Sequence, residues 1–194
     1  MTEPVEGWIR RAGERCVEVG LQDVGRSLIM HARHEAGHHL MMIKDAEHLV
    51  ERWNAKHPDK LDAAHMIAGA SLRSVKDYVK LHEDTIASDM PFGQVAIEFE
   101  IESLSTTLLS ELVDNCKRVL GMEIVGGLSF LEEHVEIDVG HTQLNQKIMG
   151  RLLTARPESA EALGRTGSLA LDIYGSFLNE CLAIAASSLK SAAA

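Results

Sequence analysis

An all-α fold is what this sequence predicts, on three observations. Aromatic residues make up only 4% of the chain, and Ala, Leu and Ile fill the apolar positions, which suits helix packing better than a β-sandwich. No segment shows sustained strand alternation. Several apolar-periodic stretches are longer than strands run. With 45% hydrophobic residues the chain is not a disordered one. Its 194 residues suffice for one domain with its own core. Residues 1–194 therefore read as a single helical domain.

Taken in order, residues near 6–18 form a first helix, with Trp8, Ile9, Ala12 and Cys16 on one side. A long helix is expected from about Asp23 to Trp53, ending before Pro58. Its apolar positions include Val24, Leu28, Leu40, Met41, Ile43 and Leu49. Gly37 interrupts it, at about 1 kcal/mol of helix propensity relative to Ala. That glycine fits close helix contact, access to a metal, or plain packing. Leu61–Gly69 read as a short helix and Val75–Ile86 as another. Asp89 ahead of Pro91 marks a helix start, and that helix runs from about Phe92 to Leu120, stopped by Gly121. The Gly126–Gly127 pair breaks or bends the next segment. A helix follows from about Ser129 to Leu153. Pro157 marks a turn, and Glu158 to Lys190 form the last helical stretch, with a frayed tail at Ala192–Ala194.

The formal net charge of -10 argues against a nucleic-acid surface, which needs clustered Lys and Arg. Cys16, Cys116 and Cys181 are isolated, with no CxxC spacing, and read as small buried hydrophobes in a reducing compartment. Glu3, Glu6, Arg10 and Arg11 stand where the apolar run of a signal peptide belongs. The longest apolar stretches read as too short to span a bilayer. A cytoplasmic protein without membrane contact is the expectation.

The chemistry lies in a spacing that occurs twice. His31, Glu35 and His38 read H-x3-E-x2-H, and His134, Asp138 and His141 read H-x3-D-x2-H. Steps of four and three place each triplet on one helical stripe, within an arc of about 60°. Val135, Ile137, Val139 and Leu144 are interleaved with the second triplet, so a buried stripe there must be satisfied internally. A metal does that; so does a hydrogen-bonded cluster, and a surface stripe needs no partner. A second matching stripe favours the metal. His34 and His39 flank the first triplet and read as supporting or exposed. Asp45 returns to the same face, behind the ligands. A third helix supplies Glu102, with Glu98 one turn earlier as the alternative.

Glu35, Glu102 and Asp138 with His31, His38, His134 and His141 mix carboxylate and imidazole. That mixture suits iron, or manganese, better than the thiolate-rich structural zinc sites. So many donors exceed the needs of one metal with open positions and suit two. The paired E-x2-H and D-x2-H units are those of di-metal carboxylate bundles.

The segment from His31 through Glu35 and His38 to Asp45 resembles the first core helix of the heme-oxygenase-like di-iron oxidases, in their iron-containing redox enzyme branch. Phe130 to His141 is similar to their third core helix, whose H-x3-D-x2-H supplies ligands. The helix from Pro91 through Glu102 to Gly121 resembles the one that gives a glutamate. The likeness spans about residues 20–150. It implies a heme-oxygenase-like or thiaminase-II-like bundle of about seven helices, with a metal-binding core over about 23–153. It implies two irons, O₂ as cosubstrate, and oxidation of a small organic molecule. The ligands it implies are Glu35, His38, Glu102, His134, Asp138 and His141, with His31 standing where a carboxylate is usual. A homodimer is implied by the resemblance alone. Two other readings keep the same residues: a metal- or ligand-binding bundle without turnover, and a cofactor-independent oxidase in which the histidines act as acids and bases. Met30, Met41, Met42, Phe99, Tyr78 and Tyr174 read as core or as substrate wall.

Overall fold

The computed structural model describes the backbone of residues 1–192 and side chains through Ser187. Eight α-helices and three 3₁₀ turns account for nearly all of it, and no strand occurs among the described residues. The helices are α1 (Val5–Glu18), α2 (Gln22–His34), α3 (His38–Lys56), α4 (Ala63–Ile67), α5 (Arg73–Ala87), α6 (Gln94–Leu120), α7 (Ser129–Ala155) and α8 (Ala160–Ala192). Of the frayed tail expected at Ala192–Ala194, Ala192 is instead the last residue of α8, and 193–194 lie outside the described residues.

The first helix buries the predicted face: Trp8, Ile9, Ala12 and Cys16 are all in the core. It packs on α2 with almost no gap. A Cβ at Gly13 would come within 2.8 Å of the Gly25 carbonyl oxygen, and one at Gly25 within 2.5 Å of the Gly13 oxygen. Backbone contact of this kind needs both glycines. Leu28, Phe92, Val95, Ile97, Ile148 and Leu152 complete the centre of the core. Each such side chain contributes about 1.5–3 kcal/mol relative to exposure. The helices α6 and α7 run beside each other, and α8 lies on α5 and α6.

The predicted helix from Asp23 to Trp53 is two helices. After α2 the ladder changes register: the Glu35 N–H bonds to Ala32 O at 3.2 Å, three residues back. Gly37 then adopts φ +87°, a left-handed conformation that L side chains disfavour. Nothing lies within 4 Å of where its Cβ would be. Its role is conformational, not close contact.

Further expectations need correction. Among the residues of α3 only Asp45 is buried, and Leu40 is 51% exposed. Met30 and Met42 are likewise exposed, so they are not core. Of the cysteines only Cys16 is buried, and its desolvation pushes the thiol up to about 12. Finally, the helical stretch Pro157–Ser187 contains an 18-residue window of mean hydropathy 1.3 and is long and apolar enough to cross a membrane by length and composition. The expectation that no stretch reaches that length does not hold. Leu178, Leu182 and Ile184 of this helix point to solvent.

Gly121 ends α6 as expected, with φ +87°. Gly126 and Gly127 lie in the 3₁₀ turn Met122–Gly127. A Cβ on Gly127 would meet the Leu49 side chain at 2.6 Å, so this turn is a seat for α3.

Candidate metal centre

Four chain segments meet at the predicted residues. His31 comes from the last turn of α2, and Glu35 is the residue that caps it. His38 opens α3. Glu102 comes from α6, and His134, Asp138 and His141 from α7. Donor atoms of His31, Glu35, Glu102 and His141 all lie within 4.8 Å of one another. Those of Glu35, His38 and His134 satisfy the same limit. Glu35 belongs to both groups.

Its two oxygens face different ways. Glu35 Oε1 is 3.2 Å from His141 Nδ1 and 3.8 Å from His31 Nε2. Glu35 Oε2 is 3.0 Å from His38 Nδ1. The first group is the deeper: the His31 side chain is 0% exposed, against 13% for His38. We call them the inner and outer groups.

Several ring nitrogens of the inner group are orphaned. His31 Nε2 lies 2.9 Å from Glu102 Oε1, yet neither His31 nitrogen is in hydrogen-bond geometry with anything. His141 Nδ1 has Glu35, Asp138 and Glu102 oxygens at 3.2, 3.5 and 3.6 Å and also forms no hydrogen bond. Buried polar atoms without partners are rare because each costs about 1–3 kcal/mol. Nitrogen and oxygen atoms this close yet outside hydrogen-bond geometry fit a bound cation; in the outer group, by contrast, His38 Nδ1 and Glu35 Oε2 are hydrogen-bonded at 3.0 Å.

The charges point the same way. Burial pushes the Glu102 carboxyl well above the usual carboxylate range; Asp138 and Glu35 add to this, while His141 and the Asn145 hydrogen bond oppose it. A cation between these groups offsets that desolvation directly.

Asp138 stands at the edge. Its Oδ1 is 3.5 Å from His141 Nδ1, and its Oδ2 accepts from Ser105 Oγ. It is 2% exposed, and it belongs to neither group above. Glu98 also lies outside both groups. It accepts from Gln94 Nε2, which is 2.9 Å from His82 Nδ1. Burial, then the nearby Glu102, pushes Glu98 up to about 8. Burial brings His82 down to about 4, partly opposed by Gln94. His34 is exposed, its ring parallel to that of His141 at 5.6 Å. His39 takes part in neither group.

Hydrogen bonds to these carboxylates emerge from residues outside the two motifs. Asn145 Nδ2 donates to Glu102 Oε2 at 2.6 Å. Ser105 does the same for Asp138. Helical spacing carried a signal for both: Asn145 is one turn after His141, and Ser105 is three residues after Glu102. His82 and Gln94 carried none, because their partnership crosses from α5 to α6.

Comparison of this chain with known protein families, with curated proteins and with solved structures finds no match.

Proposed function

We propose that this protein is a two-metal, O₂-dependent oxidoreductase acting on a small organic molecule, with iron as the metal and manganese as the alternative. The observation that carries this reading is Glu35, whose two oxygens face two separate donor groups. One carboxylate turned both ways between imidazoles is the arrangement that a bridged metal pair needs. The absence of any thiolate from the two groups favours iron or manganese over a structural zinc.

In this reading His31, Glu102 and His141 hold the inner metal, His38 and His134 the outer one, and Glu35 joins them. Asp138 completes the inner position from its rim. Bound iron supplies the electrons and the open coordination positions for dioxygen. The chain supplies the rest. Asn145 holds Glu102 in one rotamer, and Ser105 holds Asp138. Core packing keeps bulk water from His31. The finer fold reading, a heme-oxygenase-like bundle of the di-iron oxidase kind, belongs to the same proposal. So do a homodimer and a cytoplasmic location.

The test is metal content and oxygen uptake. Protein loaded anaerobically with ferrous ion is expected to hold about two irons per chain and to consume O₂ on exposure. A chain that takes up no iron, with His134→Ala changing nothing, sinks the reading. A second reading, metal binding without turnover, uses the same two donor groups. Two bound irons without O₂ consumption, alone or with candidate small molecules, would decide for that second reading.

A further inference from the structure

Helix α3 carries His38 yet is only lightly embedded, with Asp45 its one buried residue. A buried carboxylate without a cationic partner needs strong hydrogen-bond donors. Asp45 finds them on α7. Its Oδ1 accepts from Ser129 Oγ at 2.7 Å and its Oδ2 from the Phe130 N–H at 2.9 Å. These donors belong to the first turn of α7, where N–H groups have no partner within the helix. The residue at the N-cap position, Leu128, makes no side-chain cap. The cap therefore comes from another helix, and its negative charge also suits the helix dipole.

One turn further, the Phe130 carbonyl accepts from His134 Nδ1 at 2.7 Å. A carbonyl can only accept, so Nδ1 carries the proton. Nε2 of a neutral His134 is then left with its lone pair free, the form that binds a metal. The Phe130 ring also stacks on His134, with centroids 3.9 Å apart. His134 in turn meets His38 edge-on at 4.8 Å. Asp45 lies seven residues, two turns, after His38 on the same face of α3. One carboxylate thus ties the helix that bears His38 to the residue that orients His134.

We propose that Asp45 is a positioning residue for the outer metal position: by capping α7 from α3 it holds His134, as its Nδ1–H tautomer, at its working distance from His38. This rests on the two-metal reading. The inner group does not rest on α3: His31 and Glu102 come from α2 and α6, and His141 lies about three turns along α7 from the capped end. Arg52 anchors α3 separately, its guanidinium donating to Glu123 of the 3₁₀ turn at 3.0 Å and to the Leu120 carbonyl at the end of α6 at 3.2 Å.

The test uses the full chain with Asp45→Ala and Asp45→Asn. Anaerobic titration with ferrous ion reads stoichiometry and affinity. Nitrogen NMR of histidine-labelled, metal-free protein reads the His134 tautomer, with His134→Gln giving the assignment. Asp45→Ala is expected to weaken one of two metals by about 10–100-fold and leave the other within about twofold. It should also replace the single Nδ1–H form of His134 by a mixture. Asp45→Asn keeps the shape and one acceptor, so it should show a smaller loss; it also serves if the alanine variant does not fold. Two metals bound at wild-type affinity in the variants, or an unchanged tautomer, overturns the assignment of Asp45 alone. A wild-type chain that binds no metal overturns the two-metal reading, and with it any role of Asp45 toward a metal.

Discussion

The two triplets share a spacing but not a backbone. His134, Asp138 and His141 stand on an unbroken helix, α7. His31, Glu35 and His38 straddle a break: the end of α2, its cap, and the start of α3. On a continuous helix, residues at steps of four and three point one way, and such a stripe can line one wall of a site. A turn centred on Glu35 does something a helix cannot. It aims one carboxylate oxygen at His141 and the other at His38. Equal spacing in sequence thus produces a wall in one copy and a junction in the other.

The sharpest way to break this comparison is Glu35→Ala. If the turn makes a junction, this change should weaken both metals together and reduce iron content from about two per chain toward none. Inductively coupled plasma analysis would read it. Loss of one metal only would show that Glu35 is an ordinary terminal ligand.

Next in size are His38→Ala and His141→Ala. Each should remove about one metal, the outer and the inner respectively. Metal titration of the two variants, followed by that of the double variant, checks whether the losses are separate.

Acid titration sharpens the comparison by accounting for a group outside both triplets. His82 is buried in its neutral form, at about 4 against an ordinary value of 6.5. Below 6.5 the unfolded chain takes up a proton that the folded one refuses, so stability falls as pH drops from 6.5 through 4. The loss amounts to about 3 kcal/mol once both states are protonated. Glu98, raised to about 8, acts in the opposite sense: its contribution is present below the usual glutamate range and is lost as pH rises through 8. Urea unfolding of metal-free wild type and His82→Phe between pH 4 and 7 separates them. The variant should lack the acid-side loss, and parallel curves would show that His82 does not titrate as described.

The smallest effects contrast two glycines. Gly37→Ala forces a side chain into φ +87° and should destabilise by about 1–2 kcal/mol. Gly140→Ala sits in the exposed, open interior of α7 and should stabilise by about 0.5–1 kcal/mol. Thermal or urea midpoints of the two variants should therefore move in opposite directions.

Much of the molecule was legible in the residues. The helices of residues 6–18, 92–120 and 129–153 appear with small shifts of their ends, because apolar periodicity and the Pro and Gly stops act locally. The α7 stripe was equally plain. The break at Gly37 was not, since a single glycine inside a helical pattern is usually tolerated at modest cost. Its left-handed conformation depends on α3 having somewhere to dock. The seat at Gly126–Gly127 and the Asp45 cap on α7 provide that, and both lie far along the chain.

What the amino-acid sequence determined by itself is the all-helical architecture, the imidazole and carboxylate side chains of the two triplets, and the face of α7 that bears three of them. These follow from periodicity and from side-chain chemistry, which need only near neighbours. What the tertiary structure decided is that Glu35 faces two groups, that His31 lies deep and His38 shallow, and that Asp45 caps a helix other than its own. Each depends on where one helix ends relative to another. That relation is set by packing and by partners for buried polar atoms, across separations that no local pattern encodes.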